Sequence, residues 1–406
     1  MSNDTNATKH GDVYPQGEVS PCWAYGFRPF FLILPWYIAL ITILWGFSFS
    51  GIAPLPPFSE PLLWHIYELL YGVGFAGIAA FLLTGVPELF PGTIPLVGRK
   101  LQYLMALWIA GRISFWAMGI LGIYPALITN IAFSLAIITW CFKPVVLDPL
   151  QRHASLAYTV LLITLIQGAI FLSIDGLIPF NPYTWLYLAL GCFIVLILLA
   201  LRRVQTEAIN EDMKARGIED LFIARAFRYN LAIFCILLFT LFELLGIRST
   251  AGWLAFASTC AVLGILNDFK LRFEPILHLP YVLIFAAIII FIALGYALLG
   301  TSYLFGIPCL SHARHILTIG AFGGAFLAVM IVVSFVHTGR KVSFDLPIAL
   351  SLIALFAALV TRLFAGISEG AWIYSVSALL FAASFLIYYY RFKDYLSNPR
   401  PDGIPG

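Results

Sequence analysis

The sequence predicts an all-α, polytopic membrane protein: a helical bundle of about twelve transmembrane helices with both termini cytoplasmic. Three observations carry that expectation. Hydrophobic residues make up 61% of the 406 positions and charged residues only 11%, which excludes an ordinary soluble surface. Apolar stretches near the roughly 20 residues needed to cross about 30 Å of hydrocarbon recur twelve times along the chain. The cations are distributed one-sidedly among the intervening loops, as the positive-inside rule requires of a protein with a fixed orientation.

The spans are expected at 29–50, 62–86, 101–121, 123–142, 154–174, 182–201, 228–246, 249–267, 278–300, 311–336, 345–363 and 370–390. The first follows a polar leader and Arg28, with no small-residue cleavage site after a short apolar region, and is read as a retained helix. The second carries His65 and Glu68, and the third carries Arg112 at its centre. Between the sixth and seventh lies the longest loop, 202–228, whose charged stretch from Glu207 to Asp220 reads as a short amphipathic helix or a solvated linker. The seventh ends at Glu243, the ninth opens at His278, the tenth runs from His312 and His315 to His337, the eleventh ends at Arg362 and the twelfth starts at Glu369. The domain plan is therefore a cytoplasmic tail at 1–25, one membrane domain at 26–396 and a cytoplasmic tail at 397–406.

With the amino terminus inside, 19 of the 23 Lys and Arg residues fall in the tails and even-numbered loops, leaving Arg112, Arg248, Arg314 and Arg362. The net charge of +3 reflects this topology and implies no nucleic-acid partner; the expected partner is the lipid bilayer. Six scattered cysteines without a C-x-x-C pair indicate neither a disulfide framework nor a zinc ribbon.

Orientation assigns each polar residue a depth. His65 and Glu68 lie about one turn into the outer end of the second span, and His312, Arg314 and His315 lie at a similar level on the tenth. His337 is 22 residues beyond His315, about 33 Å along a helix, so one metal cannot bind both. His278, expected at the cytoplasmic depth of His337, completes a second pair. Two separated histidine pairs, His65 with His315 and His278 with His337, are the geometric expectation.

Neutral imidazole is the commonest metal ligand, and a polar ring in hydrocarbon is costly without a partner. At i, i+3, Glu68 is placed to orient His65 or to hold a proton, whereas Tyr67 points roughly the other way. Cys309-x-x-His312-x-x-His315 has a spacing compatible with copper, since thiolate suits Cu(I) and imidazole suits either oxidation state. Gly72, Gly74 and Gly77 on the second span, and Gly320, Gly323 and Gly324 on the tenth, allow close helix packing or make room for a flat macrocycle with His65 and His315 as opposed axial ligands. Arg112 needs a buried partner, a carboxylate or a propionate. No phosphate loop, nucleophile elbow, zincin motif or dinucleotide turn occurs. Twelve spans also fit a secondary transporter of a small anionic or metal-complex solute, with Glu68, Arg112 and Glu243 as substrate or proton sites. A terminal oxidase would require a denser histidine cluster and a His-Pro-Glu string.

Several strings resemble those of the NnrS family of bacterial membrane proteins. They are Gly26-Phe27-Arg28-Pro29-Phe30-Phe31, Trp64-His65 with Glu68 and Gly72, Phe81-Leu82-Leu83-Thr84-Gly85-Val86-Pro87, and Leu107-Trp108-Ile109-Ala110-Gly111-Arg112. Further along come Leu277-His278 with Tyr281, His315-x-Leu317-Thr318-Ile319-Gly320-Ala321, Leu327-Ala328-Val329-Met330, His337-Thr338-Gly339-Arg340 and Pro399-Arg400-Pro401-Asp402-Gly403. The resemblance implies a multi-pass protein of the bacterial cytoplasmic membrane that contains haem b and copper and is associated with nitric oxide metabolism or nitrosative-stress tolerance. It implies His65, His278, His315 and His337 as metal ligands and Arg112 as an important buried cation; Tyr67, Glu68, His312 and Arg314, close to them along the chain, are the candidates to surround them. Nitric oxide or an electron donor is the implied partner, and whether the protein is catalytic stays open. There are three departures: Tyr67 stands where the family pattern W-H-x-H-E has a histidine, Gln205-Thr206-Glu207 does not match the family string after the sixth span, and Glu243 stands where relatives have a histidine. His312 is outside the matched pattern.

Overall fold

In a computed structural model the described residues are 14, 19–54, 60–90, 92–149, 153–271, 275–366 and 370–404. Glu369, expected at the start of the last span, lies outside them, as does most of the amino-terminal tail. Among the described residues the chain forms twelve principal helices at the twelve expected positions. These are α1 (Arg28–Phe49), α2 (Pro61–Leu89), α3 (Arg99–Trp116), α4 (Ile123–Val146), α5 (Ala154–Ile174) and α6 (Pro182–Ala215). They continue with α7 (Ala226–Leu244), α8 (Arg248–Phe269), α9 (Pro280–Phe305), α10 (Leu310–Val336), α11 (Leu346–Ala365) and α12 (Trp372–Ser397).

Eleven of these are long and apolar enough to cross a membrane, and the exception is α3. Its 18 residues include Arg99, Lys100 and Arg112, and beyond Ala117 it gives way to a short helix, Met118–Leu121, instead of running on to residue 121 unbroken. Gly122, at φ +77°, takes the left-handed turn between that short helix and α4, a conformation glycine adopts without a Cβ penalty. The expected loop 202–228 also differs: α6 continues through it to Ala215, a 34-residue helix about 51 Å long that projects well past the hydrocarbon thickness. Its projecting end is held by Arg216 on Asp212 at 2.9 Å and by paired hydrogen bonds between Asn210 and the Phe222 backbone.

Sequence neighbours pack as antiparallel partners through α3 to α9, while α1 lies against α12 and α12 against α11, joining the two ends of the chain. At the centre stand α2 and α10, 78% and 72% buried over their most apolar windows, more than any other span. These are the two helices that carry His65 and His315. Each contains a π-helical segment, Glu68–Gly74 in α2 and Ile316–Gly323 in α10. Such segments widen the helix by one residue and recur at functional sites.

Several of the glycines are points of close helix packing. A Cβ at Gly74 would meet Phe322 at 2.8 Å, and one at Gly77 would meet Phe326 at 2.0 Å, so rings from α10 lie directly on the backbone of α2. On α10 itself, Gly320 and Gly323 receive Phe291 and Phe381. Where α1 crosses α12, a Cβ at Gly46 would stand 2.5 Å from the Ala378 Cβ, and the Ser375 hydroxyl donates to the Gly46 carbonyl at 3.1 Å.

Gly46→Ala is expected to lower stability by about 1–3 kcal/mol through overpacking at the α1–α12 crossing, whereas Gly85→Ala, with open space at its Cβ, stays within about 1 kcal/mol of wild type. Thermal unfolding of the detergent-solubilised protein measures both, and equal effects would contradict this packing.

Candidate functional site

Among charges inside the bundle, Arg112 sets the strictest requirement, because an uncompensated cation in hydrocarbon costs several kcal/mol. It is met by Glu68, whose Oε2 lies 2.8 Å from the guanidinium with both side chains buried. Tyr37 donates to the same carboxylate oxygen, Trp116 Nε1 donates to the Tyr37 hydroxyl at 3.2 Å, and Asn130 accepts from Arg112 while donating to the Gly111 and Ala126 carbonyls. A Cβ at Gly72 would stand 2.2 Å from Glu68 Oε2, so the ion pair occupies the space that this glycine leaves. The π segment contributes too: Trp108 Nε1 donates to the Gly72 carbonyl at 2.9 Å. Glu68 is thus turned to Arg112 and Tyr37, not to His65, and Arg112 has a carboxylate of the protein itself as its partner. Tyr67 lies under this network, its hydroxyl accepting from Gln167 at 2.9 Å.

One turn earlier, His65 lines a cavity of about 970 Å³ whose walls come from α1, α2 and α6 to α12. Its ring stacks on Trp45, with centroids 4.3 Å apart and planes 9° from parallel. His315 lines the same cavity from α10. Its Nδ1 is 2.7 Å from the Ser311 carbonyl, which can only accept, so the proton is assigned to Nδ1 and Nε2 keeps its lone pair. Two imidazoles 250 positions apart in sequence therefore line one cavity.

The cavity wall is cationic. Arg314 is paired with Glu243 at 2.9 Å and lies 3.4 Å from the centroid of the Tyr187 ring, while Tyr303 donates its hydroxyl to the same carboxylate. Arg362 reaches Ser311 Oγ at 3.1 Å and lies 4.9 Å from the Tyr374 ring centroid. Arg248 stands exposed at the rim. Against these three guanidinium groups, Glu243 is the carboxylate that lines the cavity.

The copper-like spacing does not converge. Cys309 turns its thiol to the Leu298 carbonyl at 3.3 Å, and His312 Nε2 is buried against Gly366, where a Cβ would come within 2.1 Å of it. Among the described residues no group of three or more His, Cys, Asp or Glu side chains is arranged to hold a metal ion.

His337 ends α10 at the opposite end of the bundle. Its Nδ1 is 2.8 Å from Glu88 Oε1, Tyr25 donates to the same oxygen, and Tyr14 stacks on Tyr25 with centroids 4.6 Å apart. Gly339 takes φ +69° and stops the helix, as expected, beneath Asp402. Arg400 donates to the His337 carbonyl at 3.3 Å, and Arg28 donates to the Leu396 and Asn398 carbonyls. The stretch expected as a carboxy-terminal tail is, in its described part, docked beneath α10 and α1. A smaller cavity of about 130 Å³ borders His337 and Glu88. His278 does not line it; it lies exposed on the turn before α9. Both cavities end on Phe322 and Phe326.

Trp45, Tyr187, Ser311, Asn130 and Glu88 are site residues that sequence reasoning did not single out. Glu88 alone left a signal, as the acid directly after the Phe81–Pro87 string. The others contribute ordinary hydrogen bonds and ring contacts from separate helices, which have no sequence signature.

These features define a multi-pass helical membrane protein built around a histidine-bearing, cationic cavity. Residues 21–400 match the family profile described as NnrS protein, and the chain belongs to the NnrS family. No curated protein matches the chain.

Arg112→Met leaves the Glu68 carboxylate buried without its cation, with the Tyr37 hydroxyl as its remaining donor, and is expected to cost about 3–5 kcal/mol. Adding Glu68→Gln should recover at least half of that loss in thermal unfolding; a double variant no more stable than the single one would contradict the pairing. Burial pulls the His337 imidazole down, but the charge and hydrogen bond of Glu88 more than offset this and leave its pKa raised. That contribution is fully present below the unfolded value near 6.5 and is lost as pH rises through the higher folded value. The melting temperature should fall over that range in wild type, and less steeply in His337→Gln.

Proposed function

We propose that this protein binds haem b in the larger cavity, with His65 and His315 as axial ligands, and acts in nitric oxide metabolism or nitrosative-stress tolerance in the bacterial cytoplasmic membrane. The observation that carries this reading is the shared cavity: two imidazoles from the two most enclosed helices face one space, and one of them already has its Nδ1 proton committed to a backbone carbonyl. A backbone bond of that kind fixes the tautomer and ring orientation a ligating histidine needs.

The other residues fit the group as well. About 970 Å³ is at the upper end of the range for enclosed cofactor and ligand sites. Trp45 fixes the His65 ring by stacking, and the cationic wall suits a group that carries two carboxylates. Haem held in this way supplies a redox-active iron, with a potential set by its axial ligands and surroundings. The chain's own residues orient the two imidazoles, keep the Glu68–Arg112 charges beneath the site neutralised and close the cavity floor with Phe322 and Phe326. Copper rests on the resemblance, with His337 beside Glu88 as its two-donor candidate, and no chemistry is routed through it.

The second reading, a secondary transporter of a small anionic solute, is favoured by one feature: cavities approach Phe322 and Phe326 from both ends of the bundle. Arg112, the anion contact expected for that reading, is neutralised by Glu68.

Purified protein is expected to show a Soret band that His65→Ala and His315→Ala each abolish at unchanged expression and helicity. Retention of the band in both variants refutes the axial assignment, and colourless, iron-free protein that accumulates a solute in proteoliposomes would establish the carrier instead.

A further inference from the structure

We propose that Arg362 is a carboxylate-recognition residue of the larger cavity, aided by Arg248 at the rim. The inference starts from how the bundle matches its charges. Arg112 is sealed against Glu68, and Arg314 against Glu243 and the Tyr187 ring. Arg362, in the last turn of α11, has no carboxylate partner among the described residues, although it is half-buried on the wall of the cavity that His65 and His315 share. Among the described residues its hydrogen bond is to Ser311 Oγ, and Tyr374 lies beneath its guanidinium. The rest of its five-donor fork is not sealed into protein, in contrast to Arg112, whose Nε is buried without a partner.

The arrangement is that of an anion receptor. An arginine fork matches a carboxylate with two parallel hydrogen bonds, and stacking on an aromatic ring pre-orients it so that little rotamer freedom is lost on binding. Ser311 anchors this fork from the turn of α10 that also fixes His315, so the cation and the imidazole keep a set relationship. With Glu243 neutralised by Arg314, Arg362 and Arg248 leave an excess of two positive charges among the described residues that line the cavity. A ligand bearing two carboxylates balances that excess.

The carboxylates come either from a tetrapyrrole, which rests on the haem reading above, or from a free dicarboxylate, which does not. Full-length apoprotein in detergent, wild type and Arg362→Gln, is titrated with haem b, with haem b dimethyl ester and with succinate, following Trp fluorescence and the Soret region. Wild type is expected to bind haem about tenfold or more tightly than its diester, as loss of a charge-assisted pair implies. Arg362→Gln should lose most of that preference while binding the diester as wild type does, which also shows that it is folded. Arg362→Lys, retaining charge without the fork, should fall between the two. If succinate binds in an Arg362-dependent way and haem does not bind, the carboxylate site stands and the haem reading falls. Equal wild-type affinity for haem and diester without succinate binding, or an undiminished preference in Arg362→Gln, overturns the proposal.

Discussion

A charge inside a bilayer-spanning bundle must be matched where it stands, because no water comes to it, and that constraint organises this protein. The Glu68–Arg112 pair is its clearest expression. The pair lies one helical turn from His65 on α2, takes up the space over Gly72 and ties α1, α3 and α4 to α2 through Tyr37, Trp108, Trp116 and Asn130. Because Glu68 is engaged there, His65 is left facing the cavity with Trp45 as its support. Arg314 and Glu243 repeat the arrangement on the other side, beside His315.

The π segments follow from the same demands. Each begins at or just after the histidine-bearing turn and runs into a glycine-rich stretch against which aromatic rings pack. A helix that must aim one turn at a cavity and the next at a tightly packed neighbour has to change its face, and one extra residue per turn accomplishes that change. Below the cavity, Phe322 and Phe326 lie against Gly74 and Gly77, so the larger chamber is separated from the small chamber near His337 by aromatic rings. The bundle therefore has one roomy, mainly apolar chamber bearing a few cationic and imidazole groups, one narrow chamber and an aromatic partition between them.

Much of the fold was legible because lipid-facing helices announce themselves by length and apolarity, and all twelve expected positions are helical. Two places misled for opposite physical reasons. In α3, the apolar run to residue 121 reads as one span although the helix breaks at Ala117 and Met118–Leu121 forms a separate turn. In α6, charged residues after position 202 read as loop although the helix simply continues beyond the membrane thickness. At the site, the His65 and His315 positions could be matched by depth, since rise per residue is fixed. What side-chain direction adds is not periodic: that Glu68 turns from His65 to Arg112, that Cys309 bonds to Leu298, and that Glu88 reaches His337 depend on which neighbour each helix meets. The glycines were ambiguous in sequence because room for a ring from the next helix and room for a macrocycle require the same missing Cβ.

The account stands or falls on what fills the space between α2 and α10. A cryo-EM map of the purified full-length protein at a resolution that shows side chains tests this most directly. The account predicts flat density bridged to the rings of His65 and His315, with its polar edge toward Arg362. A map in which those two rings point apart with only lipid or solvent between them, or in which such density is held elsewhere in the bundle, would contradict it.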